Sequence, residues 1–196
     1  MKYICVEGVI GVGKTTLTRM ISQRLSFEPV LEIVEENPFL ANFYKDRERW
    51  AFQTQIFFLM SRYTQQNYIL KMINQKNIVS DYTFKKDRIF AELNLEGDQL
   101  WLYNKVFDVI ETKTVNPDII IYLKASIDTI LKRIELRDRT FEREIDISYL
   151  ESLSDAYDNF FKTYSGKYIE VDADSIDFVK YQEDLDFIIS KLKEAL

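Results

Sequence analysis

The chain has 196 residues, 46% apolar and 30% charged. That balance can fill one globular core, is too apolar for disorder, and leaves no apolar run near the ~20 residues a membrane span needs. With no histidine, one cysteine and a net charge of −6, a Ser-His-Asp triad, a histidine-bearing zinc site, an internal disulfide and a phosphate-clasping nucleic-acid platform are disfavoured or excluded.

What remains is a soluble, cytoplasmic, single-domain protein over residues 1–196, with catalysis resting on carboxylates, Lys and Arg. Glu7 interrupts the only early apolar run, so no signal peptide is expected. Lys2 to Glu7 reads as a buried strand, and Thr15 to Leu25 as an amphipathic helix. Pro29 to Val34 reads as a second strand. Asn37-Pro38 opens a short helical piece, and Trp50 to Ile73 forms one long helix. Asn77 to Asp81 is a third strand ending in an acid, followed by a helix from Asp98 to Thr114. Asp118 to Leu123 is a fully apolar strand. Ser126 to Arg137 and Asp146 to Tyr164 are helices around a charged connection. Tyr168 to Val171 is the fifth strand, and Ser175 to Leu196 the closing helix. Apolar strands alternating with helices predict an α/β fold with a parallel sheet covered on both faces. Ligands in such folds sit at the carboxyl ends of the strands.

Gly8-Val9-Ile10-Gly11-Val12-Gly13-Lys14-Thr15, with Thr16 following, matches the phosphate-binding loop G-x-x-x-x-G-K-[ST] between a strand and a helix. Gly8, Gly11 and Gly13 let backbone N–H groups face phosphate oxygens, and the helix N-terminus adds positive potential. Lys14 can reach the β- and γ-phosphates of ATP, and the Thr15 hydroxyl can bind Mg²⁺. The chain lacks the D-x-x-G and N-K-x-D motifs of a GTPase switch, which leaves a small-molecule kinase.

A general base for a hydroxyl nucleophile belongs near the end of the second strand. Glu32 lies there, and its neighbours Glu35 and Glu36 are alternatives. Asp81 is placed to help hold Mg²⁺, or to cap a following helix. Gln55 and Arg62 share one face of the long helix, where they can read a base edge beside Phe58 or simply meet solvent. Arg133, Arg137, Arg139 and Arg143 crowd one helix end with Glu142. They suit the helix dipole, and equally a lid over transferring phosphate.

Taken together, the Gly8–Thr15 loop, Glu32, Tyr44, Trp50, Phe52-Gln53-Thr54-Gln55 with Arg62, Asp81, and Arg133-x-x-x-Arg137-x-Arg139-x-x-Glu142 resemble the deoxynucleoside kinases. Glu-Ile-Val-Glu-Glu-Asn-Pro-Phe-Leu at 32–40 and Ser-Asp-Tyr at 80–82 are similar to the bacterial deoxyguanosine kinase branch. The resemblance implies a P-loop kinase fold of five parallel strands with an arginine-rich lid at about 137–145. It implies ATP as donor, Mg²⁺ as cofactor, and the 5'-OH of a purine deoxynucleoside, deoxyguanosine first, as acceptor. Deoxyadenosine/deoxycytidine kinase is the alternative, with thymidylate kinase more remote. Glu32 would be the general base; Lys14, Arg137 and Arg139 would act on phosphate, with Arg133 beside ATP. Tyr44 and Glu142 would hold the 3'-OH, and Gln55, Arg62 and Asp87 would lie at the base. Thr15 and Asp81 would hold the metal. A homodimer through the long helices is implied, or a heterodimer with a paralogue, with no nucleic-acid or membrane partner. One departure stands out: much of the family has Arg after the strand-ending acid, where this chain has Asp81-Tyr82-Thr83.

Overall fold

Five strands form one parallel sheet in the computed structural model, which describes residues 1–196. They are β1 (Tyr3–Gly8), β2 (Glu28–Val30), β3 (Ile78–Ser80), β4 (Ile119–Lys124) and β5 (Tyr168–Asp172), in spatial order β2-β3-β1-β4-β5. β1 is central, pairing with β3 from Tyr3↔Ile78 and with β4 from Ile4↔Ile119. All six of its residues are buried, as a strand covered on both faces requires.

The helices are α1 (Lys14–Leu25), α2 (Leu40–Lys45), α3 (Arg47–Met72), α4 (Lys86–Asn94), α5 (Gly97–Glu111), α6 (Ile127–Arg137), α7 (Ile147–Thr163) and α8 (Gln182–Ala195). Side-chain alternation sends Ile4, Val6, Ile119 and Ile121 to one face, packed on Leu17 and Ile21 of α1 and Leu185 and Ile188 of α8. Tyr3, Cys5, Ile120 and Tyr122 point to the other, against Leu150, Leu153 and Tyr157 of α7. A third cluster around Leu40, Phe43, Leu59, Tyr103 and Phe107 joins α2, α3 and α5 away from the sheet. No helix is long and apolar enough to cross a membrane.

The expected sheet and helix order is observed, with five local corrections. The second strand stops at Val30, so Glu32 lies beyond it rather than within it. The cause is its partner: β3 offers only Ile78, Val79 and Ser80, paired with Glu28, Pro29 and Val30. Past that point side chains replace the ladder, since Gln65 Nε2 donates to Leu31 O at 2.6 Å and Glu32 N–H to Asp81 Oδ1 at 2.7 Å. Asp81 likewise follows β3 instead of ending it. The long helix begins at Arg47, because Asp46 accepts from Arg49 N and caps it. The final helix begins only at Gln182; before it, Asp177 Oδ1 takes the N–H groups of Val179 and Lys180 in a turn. Finally, α4 has no counterpart among the expected elements. Its start, Lys85-Lys86-Asp87-Arg88, is a run of four charged residues, of which Lys86 and Asp87 are buried.

Candidate active site

At the carboxyl end of β1 the chain turns through Gly8 and Gly13, at φ 146° and 111°. A Cβ at Gly8 would stand 2.3 Å from Leu123 O, so no other residue fits. Lys14 Nζ folds back to donate to Gly8 O (2.8 Å) and Val9 O (3.0 Å). Burial, with Lys86 nearby, draws its pKa down to about 8 against the pull of Glu7, Glu32 and Asp81. Arg133 straps this loop to the exit of β5, donating from Nη1 to Val12 O at 2.6 Å and from Nη2 to Ala173 O at 2.9 Å.

Below the loop lies an acidic floor. Thr15 Oγ1 donates to Asp81 Oδ2 at 2.6 Å. Burial, reinforced by Glu32, raises the Asp81 pKa. Glu32 has both oxygens engaged: Oε1 accepts from Arg62 Nε at 2.9 Å and from Arg62 Nη2, while Oε2 accepts from Lys86 Nζ at 2.9 Å. Burial alone would raise the Glu32 pKa, but Lys86 and Arg62 outweigh it and hold the carboxyl well below its ordinary range. Arg62 also donates from Nη1 to Asp87 Oδ1. Asp87 has one cation and a second oxygen without a partner, and burial lifts its pKa to about 6. Behind them the buried Glu7 carboxylate accepts from Gly8 N (3.2 Å), Thr83 N (2.5 Å) and Tyr157 Oη (3.1 Å). It ties the start of the phosphate loop to the turn after Asp81.

Lys14, Thr15, Glu32, Arg62, Asp81 and Lys86 line a cleft of about 720 Å³, a size that suits a small-molecule ligand. On its inner side stand Tyr44, Thr54, Gln55 and Phe58. Gln55 Oε1 and Thr54 Oγ1 are buried without hydrogen-bond partners, acceptors that a polar ligand edge would satisfy. The Arg62 guanidinium lies 4.8 Å from the centre of the Phe58 ring and completes this wall. Tyr44 stacks parallel to Phe141, ring centres 6.4 Å apart. Over the mouth, the 3-10 turn Thr140–Glu142 carries Glu142, buried and held by Arg137 Nε at 3.0 Å and Arg139 Nη1 at 3.5 Å. Arg139 also pairs with the exposed Glu35 at 2.5 Å, joining this segment to the chain after β2.

The residues singled out by motif and resemblance therefore converge on one cleft: Gly11, Gly13, Lys14, Thr15, Thr16, Glu32, Tyr44, Gln55, Arg62, Asp81, Arg133, Arg137, Arg139 and Glu142 all border it. Asp87 is brought to the site but stands behind Arg62, off the wall. Gly8 and Val12 contribute backbone carbonyls from beneath. Two features have no signal in the sequence. Nothing separates Lys86 from Lys85, yet only Lys86 reaches Glu32. Asp177, Phe178 and Val179 also border the cleft, and the Phe178 ring would lie 3.3 Å from a Cβ at Gly13.

The deoxynucleoside kinase family model matches residues 4–196. The chain is 40% identical to deoxyguanosine kinase of Bacillus subtilis (strain 168), over 99% of this chain and 97% of that protein. It is 31% identical to the deoxyadenosine/deoxycytidine kinase of the same organism, over 98% and 92%. The solved structure of deoxyadenosine kinase from M. mycoides with bound dATP matches at a TM-score of 0.86 and 31% identity, over 98% of this chain and 100% of that one.

Proposed function

The chain belongs to the deoxynucleoside kinase family, and from that premise we propose that it moves the γ-phosphoryl group of ATP to the 5'-OH of a purine deoxynucleoside, deoxyguanosine first. The observation that carries this reading is the position of Glu32. Its carboxylate lies on the floor between the phosphate loop and the pocket of Tyr44, Gln55 and Phe58. A hydroxyl whose base occupied that pocket would meet Glu32 on one side and the γ-phosphoryl on the other. Glu35 and Glu36 are exposed, and Glu35 is paired with the lid. Glu32 therefore takes the 5' proton as the oxygen attacks phosphorus.

Around it, Lys14 releases the loop carbonyls to bind phosphate oxygens, while Arg133, Arg137 and Arg139 meet the triphosphate from the other side. Tyr44 and Glu142 hold the 3'-OH, and Gln55 with Arg62 addresses the base. Thr15 and Asp81 offer two oxygens 2.6 Å apart, a donor set that fits Mg²⁺, which takes oxygen ligands and binds with one or two protein groups plus substrate phosphates. When bound, the ion neutralises charge on the phosphates. Preference for a guanine base follows the deoxyguanosine kinase relative; deoxyadenosine/deoxycytidine kinase activity is the alternative. A homodimer is proposed through α3 and α5, whose Met60, Trp101, Leu102 and Val109 are exposed.

The test is phosphoryl transfer from radiolabelled ATP to the four deoxynucleosides, guanosine and thymidylate. Fastest transfer to deoxyguanosine is expected. Transfer to thymidylate alone would overturn the proposal.

A further inference from the structure

Lys86 occupies an expensive position. It is 3% exposed and forms the first residue of α4, with Lys85 as the cap before it. Cations are disfavoured at a helix N-terminus, where unpaired N–H groups already carry positive potential. A buried ammonium adds a desolvation cost of its own. The ammonium Nζ also lies 5.4 Å from the centre of the Phe90 ring, a weak cation–π contact, and Glu32 is the one carboxylate paired with it. The head group makes one hydrogen bond, to Glu32 Oε2 at 2.9 Å, and borders the cleft within electrostatic reach of Lys14.

The two cations on Glu32 differ in freedom. Arg62 is a planar fork fixed between Glu32 and Asp87 and packed on Phe58. Lys86 is a point charge on a flexible stem, and it alone blocks Oε2. For Glu32 to accept a proton from the substrate, one oxygen must be cleared, and only the Lys86 bond can be given up cheaply. Tyr82, at the position where the resemblance gives much of the family an Arg, is fully buried and its hydroxyl has no partner. It supplies no charge to the acceptor phosphate.

We propose that Lys86 is a catalytic residue that exchanges its Glu32 partner for the phosphoryl group being transferred; this rests on the reading of Glu32 as the base for a nucleoside 5'-OH. The hydroxyl displaces Lys86 from Oε2 as substrate binds. The O–H bond then breaks toward Oε2 as the 5'-oxygen bonds to the γ-phosphorus. The bond from that phosphorus to the β–γ bridging oxygen breaks, and ADP leaves with the electron pair. An uncharged acceptor becomes an anionic monophosphate, and the freed ammonium of Lys86 binds its oxygens.

The experiment compares wild type, Lys86→Met, Lys86→Gln, Lys86→Arg and the control Lys85→Met, each checked for folding by circular dichroism. It uses the best deoxynucleoside of the panel and its 5'-monophosphate. Lys86→Met and Lys86→Gln should lose roughly 10²–10³ in kcat. Their affinity for the monophosphate should fall about 10- to 100-fold, while their affinity for the nucleoside changes less than about threefold. Lys86→Arg should recover most of both losses, and Lys85→Met should match wild type. Small alkylammonium ions, but not tetramethylammonium at equal ionic strength, should restore part of the turnover of a Lys86→Ala enzyme. Undiminished kcat in the neutral variants would overturn the proposal, as would equal losses of nucleoside and monophosphate affinity. Should both neutral variants fail to fold, a Lys86→Arg enzyme with no turnover and unchanged monophosphate affinity would overturn it instead. Wild type inactive on every deoxynucleoside would remove the underlying reading, a result distinct from an active enzyme indifferent to Lys86.

Discussion

Replacing Glu32 with Gln tests the centre of the site, because the change keeps shape and removes both the charge and the capacity to take a proton. Two effects should separate. In the folded protein Glu32 accepts two hydrogen bonds from Arg62 and one from Lys86. Gln can still accept from Arg62 through its amide oxygen, but its NH₂ would face the Lys86 ammonium. Arg62 keeps Asp87, so the loss falls mainly on Lys86 and should cost about 2–4 kcal/mol, a little below a fully orphaned buried charge. For a chain of this size that lowers Tm by roughly 5–15 °C, leaving a folded enzyme at 25 °C. On the chemical side, a positioned base contributes roughly 10²–10⁴ in rate, or about 3–5 kcal/mol of barrier. The two cations hold the Glu32 carboxyl below its ordinary range, which makes it a weaker base in the unliganded protein than a free carboxylate. Steady-state kinetics at 25 °C should therefore show kcat reduced by that factor with the deoxynucleoside Kd nearly unchanged. Glu35→Gln and Glu36→Gln, in exposed positions, should stay within a few-fold of wild type. Near-normal kcat in Glu32→Gln, with turnover lost in either neighbour, would place the base elsewhere.

Lys14→Ala and Arg137→Ala should each lower kcat strongly with circular dichroism unchanged, since in the proposed reaction both groups meet charge that develops during transfer; normal turnover in both would remove the loop and lid assignments. Tyr44 and Glu142 should make the enzyme selective for deoxyribose, so guanosine should have a much lower kcat/KM than deoxyguanosine, and equal values would contradict the sugar assignment. Asp87 should make stability depend on pH. Its folded pKa, about 6, lies above the ordinary value of 3.8, so its contribution is fully present below pH 3.8 and is lost as pH rises through 6, by about 3 kcal/mol. Thermal melts of wild type minus Asp87→Asn should show wild type gaining relative stability from pH 7 to pH 5, and a flat or opposite difference would reject the assignment.

Where one physical rule acts alone, the sequence is legible. β1 and β4 are recognisable because Tyr3 to Val6 and Ile119 to Leu123 are unbroken apolar runs, as strands buried on both faces tend to be. The phosphate loop is recognisable because Gly8 and Gly13 adopt conformations, and Gly8 a proximity to Leu123 O, that other residues resist. Gln55 and Arg62 point into the site as their spacing allows, although spacing could not decide between solvent and cleft. Legibility fails where function inverts the local rule. In α4, Lys86 and Asp87 break the apolar pattern by being buried themselves, so the helix looks like a charged loop. The end of β2 is misread for a related reason: Asp81 and Gln65 side chains supply the hydrogen bonds that a longer β3 would have given.

The charges of the floor also bear on the kind of acceptor the site takes. Glu7, Glu32, Asp81 and Asp87 face Lys14, Lys86 and Arg62, four carboxylates against three cations. Arg62 and Lys86 are already bound to carboxylates, and Glu35 and Glu36 add negative charge at the rim. A monophosphate entering as acceptor would bring more negative charge to an acidic floor where Arg62 and Lys86 are already paired and Lys14, held only by the Gly8 and Val9 carbonyls, is the cation proposed for the donor phosphates. A nucleoside brings none. Its hydroxyl needs one carboxylate oxygen and returns a phosphate that needs one cation. On the proposed reading those two requirements are complementary across the single bond between Glu32 and Lys86, which substrate would open at its acceptor end and product would then occupy at its donor end. The acidic floor thus supports the proposal of an uncharged acceptor over a charged one, and in the proposed reaction Lys86 meets the charged product.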